Sequence, residues 1–383
     1  MKKFLLLILS LLVSSGFCFA QPSNVSFIYI NGSNTNDNKM TQWFIDGVHK
    51  THKDMAKTFS SSALIQKEML ANGTKKINET AIPFYWGNLS KAEMAYLEDE
   101  LKIEKIFRPH LAQSVRALIA SCLHDAIWVT KYANMLPILD KLQDTIISEY
   151  QKGNSVVLFG YSAGSFVTTN YLFYKSTYIP PRLLFEKLNF SEEDKEYVKT
   201  ISVKNTCLDA LVDSKIVIMN NQNKLIPNSS SKIIRENYLK LDDYTNLKCT
   251  PQDALEGIVN FASPLPLFYS GSTNRVNQSI YNAFMLRYII ENHKFFLTVN
   301  YADDPLGFPV TDPARFEQYQ KIWNGQISPN GGFIYDKTDV KSPQLFLTAH
   351  TSYWPSSKKF AKTVVKAYED GFSKFYQNVF VKK

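Results

Sequence analysis

Ser155-Val156-Val157-Leu158-Phe159 runs directly into Gly160-Tyr161-Ser162-Ala163-Gly164. The consecutive apolar residues, two of them β-branched, predict a strand buried on both faces. The GYSAG that follows matches the pattern GxSxG, whose glycines suit a sharp strand-to-helix turn. A side chain at Gly160 or Gly164 would meet neighbouring backbone, and Ser162 is held in a strained conformation that turns its hydroxyl outward. Beyond the turn, Ser165 to Leu172 predicts a helix whose N-terminus points at the serine. Free N–H groups and partial positive charge at that end suit a developing oxyanion.

Strand, turn and helix in this order resemble the nucleophile elbow of the α/β-hydrolase superfamily. The resemblance implies an α/β fold with a mostly parallel sheet and helices on both faces, and it makes Ser162 a nucleophile. Tyr161 and Ala163 stand where lipase elbows commonly have His and Leu. The pattern elsewhere agrees with the fold class. Val25 to Ile30, Ala81 to Gly87, Gly257 to Pro264, Phe295 to Asn300 and Gln344 to Thr348 read as strands. Helical periodicity covers 40 to 70, about 90 to 151, Gln278 to Glu291 and Ser356 to Tyr376. Strands alternating with helices give a parallel sheet.

A serine hydroxyl needs a base within hydrogen-bond reach, itself oriented by a carboxylate. In the fold resembled, the chain order is Ser, then Asp or Glu, then His. His293 and His350 are the histidines after Ser162. His293 precedes the acidic loop and breaks the order, whereas His350 follows it, in Ala349-His350-Thr351-Ser352-Tyr353-Trp354. The acid comes from Asp303-Asp304-Pro305-Leu306-Gly307. Asp-Pro-Leu-Gly looks like the acid loop of lipase-like hydrolases and selects Asp304, while HTSYW is similar to the His segment of class 3 lipases. Spacing to Pro309 in that second pattern selects Asp303 as the alternative acid. The loop Asn31-Gly32-Ser33 ends the first strand where relatives place half of an oxyanion hole. Backbone N–H groups of Gly32 or Ser33 would then complement that of Ala163, unless this is an ordinary surface loop.

The resemblance does not reach the helical region before the elbow or the segment 180–255. That segment opens with Pro180-Pro181, carries Ile216-Val217-Ile218-Met219 among polar runs, and reads as an inserted cap or lid or as structural decoration. Asp125, Trp128 and Tyr132 fall on one helical face that reads as core or pocket lining. His49 and His52, three apart on a helix with Lys50 and Lys53, read as an exposed basic face because no carboxylate or cysteine completes a metal set. His110 and His124 have no partner in the pattern and read as structural.

Composition sets the bounds. The 383 residues are 45% hydrophobic and 14% aromatic, enough for a large core and against disorder. The formal net charge is +8, scattered along the chain with no nucleic-acid motif, which reads first as a solvated surface and second as weak attraction to an anionic membrane surface. Lys2-Lys3, the apolar run Phe4 to Val13 and Cys18-Phe19-Ala20 predict a signal peptide over 1–20 and a secreted or periplasmic domain over 21–383. Cys207 and Cys249 could then pair across the middle segment, leaving Cys122 in a helix. The expectation is an exported serine hydrolase of small-molecule or lipid esters needing no metal or other cofactor. The same triad would serve a phospholipase, thioesterase or acyltransferase, and a non-catalytic binding protein on a hydrolase scaffold is the other class.

Overall fold

The computed structural model describes residues 22–33, 38–90, 124–125, 127–222, 224–242, 249–270, 284–285, 287–309, 331–344 and 346–380. His110 and Cys122 lie outside them. The strands are β1 (Asn24–Ile30), β2 (Lys76–Ile77), β3 (Ile82–Phe84), β4 (Asn154–Tyr161), β5 (Val217–Met219), β6 (Leu225–Pro227), β7 (Leu255–Phe261), β8 (Phe295–Tyr301) and β9 (Phe333–Val340). Seven of them form one sheet in the order β2-β1-β4-β7-β8-β9, with β3 also paired to β1. Every pairing in that sheet is parallel. This is an α/β architecture.

Alternation along the strands divides the core between the two faces. Phe27, Tyr29, Val157, Phe159, Val259 and Leu297 pack with Phe44, Met55 and Phe59 of helix α1 (Asn38–Ser61) and with Phe360 and Val364 of the C-terminal helix (Ser357–Phe380). Ile28, Ile30, Val156, Leu158, Ile258 and Phe296 face the other way. They meet α2 (Tyr132–Gln151) and α3 (Gly164–Tyr171), the helix that leaves the elbow. Each fully buried side chain of this size contributes roughly 1.5–3 kcal/mol, so the sheet is stabilised from both sides.

The strand order also places a site. From β1 the chain passes to β2 and β3 on one side and returns to β4 on the other. Connections therefore diverge at the carboxyl ends of β1 and β4, where open parallel sheets leave a crevice. The register runs from Asn24↔Asn154 to Ile30↔Gly160, which carries the Gly32 turn alongside Ser162.

The segment 180–255 contributes Leu184, Phe185, Leu208, Leu211, Val217, Leu225, Ile234 and Tyr238 to the same apolar cluster as α2 and α3. A Cys207–Cys249 disulfide closes a span of 42 positions within it. Lys175, at the end of the elbow helix's extension, pairs with Asp140 of α2 at 2.6 Å and with Asp209 of the insertion. The β5–β6 hairpin turns at Asn220, whose Oδ1 accepts the N–H groups of Gln222 and Lys224, both at 2.9 Å.

Two expectations need correction. Gln344 to Thr348 does not form a strand: Phe346–Ala349 is a short helix. A brief apolar run cannot be told from a helix by periodicity alone. The sheet ends instead in β9, FIYDKTDV, whose mostly half-buried residues match an edge position that tolerates charge on either side. His52 is not exposed. Only 2% of its surface is accessible, its Nε2 donates to Asn78 O at 2.9 Å, and its Nδ1 lies 3.4 Å from Tyr29 Oη. His49 alone belongs to the exposed face.

Candidate active site

The elbow forms because its neighbours leave no room for anything larger. A Cβ on Gly160 would lie 2.6 Å from Asn260 Oδ1 and 2.8 Å from Gly164 O. One on Gly164 would lie 2.6 Å from the carbonyl oxygens of Ile30 and Asn31. Between them Ser162 adopts φ 51°, a left-handed conformation that a non-glycine residue takes at a cost. Its N–H bonds Phe261 O at 3.0 Å, and Ser165 N–H bonds Ser162 O at 2.9 Å to open α3. No side chain caps that helix, so its first N–H groups and their partial positive charge remain at the turn.

His350 reaches the serine from a loop after the short helix Phe346–Ala349. Its Nε2 lies 3.0 Å from Ser162 Oγ, and its Nδ1 lies 3.0 and 3.2 Å from the two carboxylate oxygens of Asp304. Tyr161 Oη donates to His350 O at 3.1 Å, and the Tyr161 ring lies against the imidazole at 5.5 Å. The residue between the motif's first glycine and its serine thus holds His350 in place.

Asp304 belongs to a tight turn. Its N–H bonds Tyr301 O and its carbonyl accepts Gly307 N–H, both at 3.0 Å. Asn300 pins the turn from beneath, donating to Phe308 O at 2.7 Å and accepting Ser263 N–H at 2.9 Å. The Asp304 side chain is fully buried, yet its oxygens are satisfied by His350, by Leu306 N–H at 3.0 Å and by Tyr353 Oη at 2.9 Å. Burial, and after it the Asp304 charge, pushes the Tyr353 phenol well above its usual pKa, so it stays a donor. Asp303 points elsewhere: its Oδ2 accepts Ser342 N–H at 3.0 Å and closes the loop after β9.

The first-strand loop is equally fixed. Asn31 Oδ1 accepts Trp86 N–H at 3.0 Å, Asn31 O accepts the indole N–H of Trp86 at 2.8 Å, and Asn31 Nδ2 donates to Gly32 O at 2.8 Å. A Cβ on Gly32 would lie 2.8 Å from Ser162 Cβ, so this backbone sits directly beside the serine. Ser33 follows it, half-buried, and Ala163 begins the helix on the other side.

The structure therefore brings together Ser162, His350, Asp304 and the Gly32 turn, and leaves Asp303 and His293 out. His293 occupies a left-handed turn at φ 54° before β8. Asp125 is buried under Ser90 Oγ at 2.9 Å, with His124 Nδ1 3.4 Å away, and Trp128 stacks on Trp86. Tyr132 Oη donates to Asp209 Oδ1 at 3.4 Å. The roles of Tyr161, Tyr353 and Asn31 were not read from the sequence. Tyr353 stands in HTSYW, but nothing in a lone sequence says that its hydroxyl reaches Asp304. Among the described residues no group of His, Cys, Asp and Glu could hold a metal ion. No family model, curated protein or solved structure matches the chain.

Proposed function

We propose that the chain is a serine hydrolase of carboxylic esters on an α/β-hydrolase-type fold, with Ser162 as nucleophile, His350 as base and Asp304 as orienting acid. The observation that carries this reading is the unbroken line of hydrogen bonds from Ser162 Oγ through the imidazole to a buried carboxylate. With Nδ1–H donated to Asp304, the lone pair of Nε2 faces the hydroxyl and can take its proton as Oγ attacks the acyl carbon. The imidazolium then gives that proton to the departing alcohol. Water, deprotonated by the same nitrogen, releases the acid from the acyl-enzyme. Backbone N–H groups of Ala163 and of the Gly32–Ser33 turn are the proposed oxyanion donors.

The leader over 1–20 would make this an exported enzyme. Segment 180–255 would be its inserted cap. Its disulfide and its Lys175–Asp209 pair favour a fixed cap over a mobile lid.

The test is labelling by a fluorophosphonate probe. The protein should be labelled, Ser162→Ala should lose all labelling and His350→Ala nearly all. A well-folded protein that never labels would instead be a binding module on this scaffold. Rates on a chain-length series of nitrophenyl esters and thioesters then separate esterase from lipase and thioesterase.

A further inference from the structure

Between β9 and the C-terminal helix, here α4 (Ser357–Phe380), lies a cleft of about 520 Å³. Five lysines line it, Lys337, Lys358, Lys359, Lys362 and Lys366, with Val340 and Thr363 in the walls and no carboxylate among the lining residues. Lys358, Lys359, Lys362 and Lys366 are exposed and recur at helical spacing along one face of α4. Lys366 is tied to Asp370 at 2.6 Å and Lys337 to Asp339 at 3.0 Å. Lys359 donates to Lys341 O at 2.6 Å. Lys358 and Lys362 have no hydrogen-bond or ion-pair partner among the described residues. Lys358 and Lys362 thus add two unpaired charges beside the paired Lys337 and Lys366, and the repulsion among them is relieved by an anion.

The cleft opens at the catalytic end of the sheet. Val340 pairs with Tyr301, and Ala302 N–H bonds Val340 O at 2.9 Å, just ahead of Asp304. Helix α4 starts just after the His350 loop, and there Lys50 of α1 adds another cation by donating to Pro355 O at 3.1 Å. The acid loop itself shows Leu306 to solvent, 40% exposed.

We infer that this lysine-lined cleft docks the protein on an anionic bilayer, seating headgroup phosphates on its ammonium groups. The stems of the lysines, with Val340, give hydrocarbon walls beneath a charged rim, which fits an amphiphile's headgroup and first methylenes. The lining holds no aromatic ring on which a nucleic-acid base could stack. Leu306 would enter the interface beside the cleft. The inference uses the position of Ser162, His350 and Asp304, but not their activity.

Co-sedimentation of the full chain with vesicles tests it. Binding should be strong to phosphatidylcholine mixed with phosphatidylglycerol, weak to phosphatidylcholine alone, and reduced by added salt. A juxtamembrane lysine contributes about fivefold in partition, so Lys358→Gln with Lys362→Gln should weaken binding about twenty-fivefold. The matched pair Lys187→Gln with Lys204→Gln, exposed in the insertion, should leave it unchanged. Ser162→Ala should bind like the parent, which separates this result from failure of the hydrolase reading. Equal losses in both lysine pairs would reduce the effect to net charge and overturn the inference. So would equal binding to neutral vesicles, or capture of soluble inositol hexakisphosphate in preference to vesicles.

Discussion

Tyr353 Oη donates to Asp304 Oδ2 at 2.9 Å while accepting the Tyr301 N–H at 2.8 Å. One phenol therefore joins the loop of His350 to the end of β8 and to the Asp304 turn that follows it. It holds Oδ2, the carboxylate oxygen that lies 3.2 Å from His350 Nδ1.

Replacing that hydroxyl should be felt in turnover. A hydrogen bond to a charged group contributes about 1.5–3 kcal/mol, so Tyr353→Phe should lower kcat by about tenfold or more. KM should hardly move, because the phenol is buried beneath the acid. Steady-state kinetics on a soluble ester, beside a thermal melt showing an intact fold, checks this. Unchanged kcat would remove Tyr353 from the positioning machinery.

The adjacent aspartates should behave oppositely. Asp304→Asn presents an amide where the imidazole needs a carboxylate, and kcat should fall by roughly 10³–10⁴. Asp303→Asn disturbs only the cap on Ser342 N–H and should cost about 1 kcal/mol of stability with activity retained. Denaturant melts and initial rates on the pair decide the assignment.

Gly32→Ala would put a methyl 2.8 Å from Ser162 Cβ and 3.2 Å from Tyr161 O. The turn must then back away from the serine. Fluorophosphonate labelling should slow about a hundredfold, the scale of losing one oxyanion donor. Full-rate labelling of the variant would move the second donor elsewhere.

His52 gives the fold a dependence on acid. Burial, only partly offset by its backbone hydrogen bonds, lowers its pKa below 6.5. Its contribution is therefore complete above pH 6.5 and is lost as pH falls through the lower folded value, since the unfolded chain takes up the proton first. Urea midpoints should decline below pH 6.5. His52→Gln, which keeps a donor for Asn78 O, should flatten that limb.

The elbow was readable from sequence because its determinants are local: a strand, two glycines that admit no Cβ, and a helix. The partners were harder. Choosing Asp304 over Asp303 depends on which way each carboxylate leaves a turn pinned by Asn300 and Ser263, contacts made across the ends of separate strands. Strand β9 was missed for a related reason. At the sheet's edge it buries only Phe333 fully, so neither face of FIYDKTDV carries a hydrophobic signal. His52 illustrates the reverse error, a polar residue among lysines that the helix nonetheless turns inward between Phe27 and Tyr29.

The Cys207–Cys249 bridge and the hydrogen bond between His350 and Ser162 differ greatly in reach: one closes a span of 42 positions, the other of 188. On the proposed hydrolase reading, the 188 positions between Ser162 and His350 mean that a growing polypeptide carries its serine through that whole stretch before its base has been made. Turnover would then begin only once the His350 loop has folded against the elbow, and until that point the serine would be chemically silent.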